Sequence, residues 1–140
     1  MKRIEFIVLG IAIFGLIGCG GGSEGKEKKS DTRLKFEKTN HDYGEIAFGS
    51  DGICEFKFTN TGKDPLVLTN VKSSCGCTIP EWPKEPIGRD ESASIKIRYD
   101  THRVGSFTKS ITVYSNAENS PKRIFIKGRI KQAEEEITND

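Results

Sequence analysis

The chain has 140 residues, with 22 Lys and Arg against 20 Asp and Glu and a formal charge of +2. The two signs are interleaved along its length, so no segment carries the concentrated basic excess with which a protein displaces counterions from nucleic acid. A nucleic-acid partner is excluded on that ground, and the stretch between the two polar ends, about a hundred residues, has the size of one domain.

At the N-terminus, Lys2 and Arg3 precede an apolar run from Phe6 to Ile17, which closes on Leu16-Ile17-Gly18-Cys19 and is followed by Gly20, Gly21 and Gly22. A membrane-spanning helix takes about 20 apolar residues. A run of roughly a dozen is the length of a signal-peptide core, which makes a retained anchor helix the weaker reading. The arrangement resembles a bacterial lipoprotein signal, in which residues 1–18 are removed and Cys19 takes a diacylglycerol on its sulfur. Small residues at Gly18 and Gly20 suit a processing enzyme that binds the chain extended, and a buried cysteine ending an apolar helix fits poorly with the glycine run. The resemblance implies a protein of the bacterial cell envelope, held to a membrane through its N-terminal lipid, with the outer membrane, on its periplasmic or surface side, as the expected location. Removing Lys2, Arg3 and Glu5 takes away two cations and one anion, so the charge of +2 falls to +1.

Residues 19–32 read as the lipidated cysteine and a flexible linker of Gly, Ser, Glu and Lys that cannot bury a core. Lys26, Lys28 and Lys29 could touch anionic lipid, but Glu24 and Glu27 beside them favour a solvated tether. Residues 132–140 read as a disordered acidic tail.

Between these ends, over 33–131, the hydrophobic period is two. Arg33 to Glu37 and Tyr43 to Ile46 supply a first strand with a break. Ile53 to Thr59 places Cys54, Phe56 and Phe58 on one face and Glu55 and Lys57 on the other. Leu66 to Val71 is a denser apolar run, as expected for a more central strand. Ser92 to Tyr99 alternates Ala93, Ile95, Ile97 and Tyr99 against Ser94, Lys96 and Arg98. Phe107 to Ser115 offers Phe107, Ile111 and Val113, interrupted by Lys109, and Lys122 to Ile130 offers Ile124, Ile126 and Ile130. Turn signals separate these runs at Asn60 to Pro65, Gly88 to Asp90, Val104-Gly105 and Asn116 to Pro121. No segment carries a helical stripe. The pattern predicts an all-β sandwich of about seven strands.

Phe56-Lys57-Phe58-Thr59-Asn60-Thr61-Gly62, Pro65 to Val71, Ser73-Ser74-Cys75-Gly76-Cys77-Thr78 with Trp82-Pro83 after it, and Ile111 to Asn116 resemble the bacterial family called domain of unknown function 1573. The resemblance covers Phe36 to Ile130 and is most specific at Ser-Cys-Gly-Cys-Thr. It implies an immunoglobulin-like exported lipoprotein and no particular chemistry, because fold does not fix function.

With Cys19 acylated, Cys54, Cys75 and Cys77 form an odd set, so at least one thiol has no partner in the chain. Residues two apart in an extended strand have Cα atoms at or beyond disulfide range, and Gly76 relaxes that limit. Three outcomes are open: a Cys75–Cys77 disulfide, favoured by an oxidising exported compartment, a soft-metal site on the two thiolates, or free thiols. His41 and His102 are the only further imidazole ligands, and both read as exposed loop residues. Cys54 shares its face with Phe56 and Phe58 and reads as a buried thiol, with a bridge to Cys75 or Cys77 as its rival.

Trp82 lies between Pro80 and Pro83, with Pro86 beyond, and is the remaining candidate. It reads either as a stiffly presented binding platform for a glycan or an envelope protein or as a ring folded back over the open edge of the core. A thiol–disulfide enzyme would need the thioredoxin-like alternation of strands and helices, which is missing. No phosphate loop, carboxylate pair or serine nucleophile motif is present either. The sequence therefore predicts a lipid-anchored envelope binding or scaffolding module, not an enzyme and without a cofactor, in which an open edge strand is one binding mode. The alternative is a thiol-based soft-metal or redox carrier using Cys75-Gly76-Cys77.

Overall fold

The computed structural model describes residues 30–132. The signal segment 1–18, Cys19, the linker up to residue 29 and the tail from residue 133 lie outside the described residues.

Eight strands and no helix make up the described chain: β1 (Leu34–Phe36), β2 (Asn40–Ala47), β3 (Ile53–Asn60), β4 (Leu68–Ser73), β5 (Thr78–Glu81), β6 (Ser92–Tyr99), β7 (Gly105–Ser115) and β8 (Lys122–Lys131). They form two four-stranded sheets in the orders β1-β3-β6-β5 and β2-β8-β7-β4. The alternation places Cys54, Phe56, Phe58, Ile95, Ile97 and Tyr99 of the first sheet against Val71, Phe107, Ile111, Val113, Ile124, Ile126 and Ile130 of the second, and all of them are buried. Side chains from two inner faces interdigitating in this way define a β-sandwich.

Three sequence expectations are corrected. The first strand with a break is two strands in different sheets: β1 runs antiparallel to β3, whereas β2 runs parallel to β8. The polar run Glu37-Lys38-Thr39 carries the chain from one sheet to the other. The run from Leu66 to Val71 is an edge strand and not a central one, since β4 pairs only with β7. Its apolar density reflects Leu66, Leu68 and Val71 all facing the core. Finally, β5 occupies the proline-bearing stretch around Pro80, to which the period of two assigns no strand, and makes the eighth strand.

The folded unit also begins before Arg33. The Asp31 N–H donates to Asp64 Oδ2 at 2.9 Å, the Lys63 and Asp64 N–H groups donate to the Asp31 carbonyl at 2.6 and 3.0 Å, and Thr32 is fully buried. Gly62 makes this docking possible, because a Cβ there would lie 2.3 Å from the Asp31 carbonyl oxygen. The chain thus joins the sandwich beside the Asn60 end of β3. At about 3.3 Å per residue, β3 puts Ile53 about 23 Å away at the opposite end.

Candidate functional site

The edges of the sandwich are closed to strand addition, each by a different device. On β1, Leu34 donates its N–H to Asn119 Oδ1 at 3.1 Å and accepts from Asn119 Nδ2 at 2.9 Å, so a side-chain amide takes the place of a neighbouring strand. β2 is broken at Gly44, which has φ of 64° and lies within a register shift between Asp42 and Glu45. On β5, the Asp100 N–H bonds the Cys77 carbonyl at 2.9 Å. By alternation Ile79 and Glu81 then turn their main chain toward β6, and Pro80, which has no N–H, faces outward. On β4, the Ser74 N–H bonds the Ser110 carbonyl, which by the same alternation turns the main chain of Val71 toward the outer edge, and Val71 is only 4% exposed. The expectation of an edge strand left open is corrected by this geometry.

What the fold leaves accessible is a cleft at the end of the sandwich remote from Asp31. Three connections build it: the β2–β3 loop, the β6–β7 loop and the β4–β5 corner. The cleft holds about 440 Å³ and is lined by Ser50 to Ile53, Gly76, Cys77, Ile79 and Arg98 to His102, with Gly49 at its rim. That volume lies within the range of ligand clefts. The two loops are pinned to each other: the Gly49 N–H donates to the Thr101 carbonyl at 3.2 Å, and Thr101 Oγ1 donates to the Ser50 carbonyl at 2.6 Å. Gly52 is required here, because a Cβ would meet the Tyr99 carbonyl oxygen at 2.3 Å. Its own carbonyl accepts from the Tyr99 N–H and from the Tyr43 hydroxyl, at 2.9 and 2.8 Å.

Cys75 and Cys77 form a disulfide at the β4–β5 corner, with Cα atoms 5.4 Å apart. Gly76 between them is exposed and lets the chain turn tightly enough for that approach. Cys77 is 7% exposed and Cys75 half-buried, and the Thr78 hydroxyl lies 3.9 Å from each sulfur. A bonded pair offers no thiolate to a metal, and among the described residues no three His, Cys, Asp or Glu side chains converge as a metal site.

The solvent face of the cleft is apolar around one cation. In register across β3, β6 and β5, Ile53 lies opposite Arg98 and Arg98 opposite Ile79. Ile53 is 37% and Ile79 57% exposed. Phe48, also exposed, meets the His102 ring edge-on at 5.1 Å, and exposed Val104 follows two residues after His102. Four of the six exposed large hydrophobic side chains of the described domain therefore gather at this end. The acids of the cleft are already engaged. Asp51 Oδ1 accepts from the Ile53 N–H at 3.0 Å, while Asp100 accepts from the His102 N–H, from His102 Nδ1 and from Arg103 Nε. The His102 N–H, above all, holds the Asp100 carboxyl below its ordinary range. No carboxylate among the described residues lies within 4 Å of the Arg98 guanidinium.

The other residues singled out in the sequence fall elsewhere. His41 is not on an exposed loop: it is half-buried on β2, 4.4 Å from the Tyr43 ring, and burial first and Lys38 second lower its pKa. His102 does sit in an exposed turn. Cys54 is a free, buried thiol whose pKa is pushed up by burial. Trp82 packs against the core with Lys84 Nζ 3.1 Å above its ring, and its indole N–H is buried with no partner among the described residues. That places the ring as a cover over the core rather than as a free platform.

A family model described as protein of unknown function (DUF1573) matches residues 34–130. The chain belongs to this DUF1573 family. No curated protein sequence matches it. Among solved structures, the DUF1573 domain is similar to a protein of unknown function from Porphyromonas gingivalis W83, with 20% identity and a TM-score of 0.60 over 71% of this chain and 46% of that one. It is also similar to the ASH/PapD-like domain 7 of human CEP192, with 8% identity and a TM-score of 0.62 over 96% of this chain and 99% of that one. The CsuC–CsuE chaperone and tip-adhesion subunit complex of Acinetobacter baumannii gives 13% identity and a TM-score of 0.52, over 71% of this chain and 57% of that one. The secreted serine protease VesC of Vibrio cholerae is also similar, with 12% identity and a TM-score of 0.54 over 69% of this chain and 23% of that one. The chain thus spans less than half of the Porphyromonas protein, and at these identities the likeness shows the fold alone.

Proposed function

We propose that this protein is a lipid-anchored binding or scaffolding module of the bacterial cell envelope, working without catalysis. The observation that carries the reading is the concentration of exposed Phe48, Ile53, Ile79 and Val104 around one cleft while the edges of the sheets are closed. Exposed apolar side chains gathered at one place mark an interaction surface. The address comes from the Cys19 signal. The chain joins the domain at the Asn60 end, so a lipid on Cys19 tethers one end of the sandwich and leaves the cleft at the other, facing away from the membrane. The solved pilus chaperone of similar fold is a precedent for such a domain holding another protein.

The test uses the protein in its native envelope. Intact mass should show loss of residues 1–18 and a diacylglycerol adduct on Cys19. Solubilised gently, the wild type should migrate as a larger assembly and the Ile53→Asp/Ile79→Asp variant as the bare protein. An unmodified N-terminus would remove the anchor from the proposal, and identical migration of the two proteins would remove the cleft.

A further inference from the structure

Arg98 carries the inference further. It is the middle residue of a cross-strand row with an exposed isoleucine on each side, and directly opposed side chains on one sheet face have Cβ atoms about 4.5–5.5 Å apart. A guanidinium set between two apolar side chains is less well hydrated than one on an open charged surface, and its fork of N–H donors matches a carboxylate. No carboxylate among the described residues forms an ion pair with it: Asp100 faces His102 and Arg103, and Asp51, which keeps its charge, accepts through Oδ1 from the Ile53 N–H. One further polar group points the same way: Ser50, in the cleft wall, has a buried hydroxyl oxygen without a partner among the described residues.

We infer that the cleft binds a short apolar peptide through a carboxylate, which Arg98 takes while the flanking apolar side chains lie on Ile53 and Ile79. The inference rests on the binding reading above and names the chemistry of its ligand. Both a chain terminus and a Glu side chain supply this chemistry.

Three peptides carrying an uncharged BODIPY label distinguish the sources: Val-Ile-Val with a free C-terminal carboxylate, the same peptide as its amide, and Val-Glu-Val as its amide. Fluorescence anisotropy is measured on the full lipidated protein in nanodiscs. At least one carboxylate peptide should bind 10-fold or more tighter than Val-Ile-Val amide, the range of a charge-assisted hydrogen bond. Arg98→Gln should abolish that difference, while Ile53→Ser should weaken acid and amide alike. Equal binding of all three peptides overturns the carboxylate and leaves the binding module standing. A carboxylate preference that survives Arg98→Gln overturns the assignment to this residue. Binding of none at millimolar peptide overturns the inference outright, and the assembly size of the Ile53→Asp/Ile79→Asp variant then decides the binding reading separately.

Discussion

Asn60 ties together the end of the sandwich where the chain joins it, and Asn60→Ala measures how much that end contributes. The residue is fully buried. Its Nδ2 donates to the Asp64 carbonyl at 2.8 Å and to the Ile87 carbonyl at 3.0 Å, and its Oδ1 accepts from the Gly62 N–H at 3.0 Å. Three hydrogen bonds at about 1 kcal/mol each are lost, leaving the Gly62 N–H and the Asp64 carbonyl without this partner while the Ile87 carbonyl keeps the Leu66 N–H, a loss of about 3 kcal/mol. For a domain of this size that lowers Tm by roughly 12–25 °C. Urea unfolding followed by Trp82 fluorescence reads it directly. Asn60→Asp adds a pH signature. A carboxylate keeps the Gly62 contact but turns an oxygen toward two carbonyls, so burial and repulsion raise its folded pKa above the unfolded value of about 3.9. Its deficit against wild type should be smallest below that unfolded value and grow as pH rises through the folded one. A loss below about 1 kcal/mol for Asn60→Ala, or an Asn60→Asp deficit independent of pH, would refute the role given to this side chain.

Cys75→Ser/Cys77→Ser should cost about 1.6 kcal/mol, the closure entropy of a three-residue loop, and a urea midpoint unchanged from wild type would contradict the bridge. Cys54 should resist iodoacetamide at pH 8 until the domain unfolds, because burial raises its thiol pKa and covers it; rapid labelling of the native protein would show that the thiol is accessible. His41 should titrate by NMR below its ordinary 6.5, since burial and then Lys38 lower it. The unfolded chain then binds the extra proton first, so His41 removes stability as pH falls through 6.5, and Lys38→Met should move the midpoint up.

The sandwich was legible because its strands alternate cleanly. Cys54-x-Phe56-x-Phe58 and Ile95-x-Ile97-x-Tyr99 each fix a buried face by the period of two alone. The switch of sheets between β1 and β2 was hidden, because a break in a pattern does not say which neighbour each half pairs with. β5 was hidden by Pro80, which lowers strand propensity yet is tolerated on an edge where its missing N–H faces outward. The cleft left one faint trace: Ile53 falls on the polar face of its strand, in phase with Glu55 and Lys57. That residue becomes informative only when pairing sets it beside Arg98 and Ile79, a contact between segments far apart in the chain that no local pattern encodes.

The most direct test of the central claim is site-specific photo-crosslinking in the native envelope, with p-benzoylphenylalanine placed at residue 79 on the cleft or at residue 57 on the same face of the same sheet. The account predicts a discrete, reproducible adduct from residue 79 and none from residue 57. Adducts of equal yield from both positions, or none from residue 79, would contradict it.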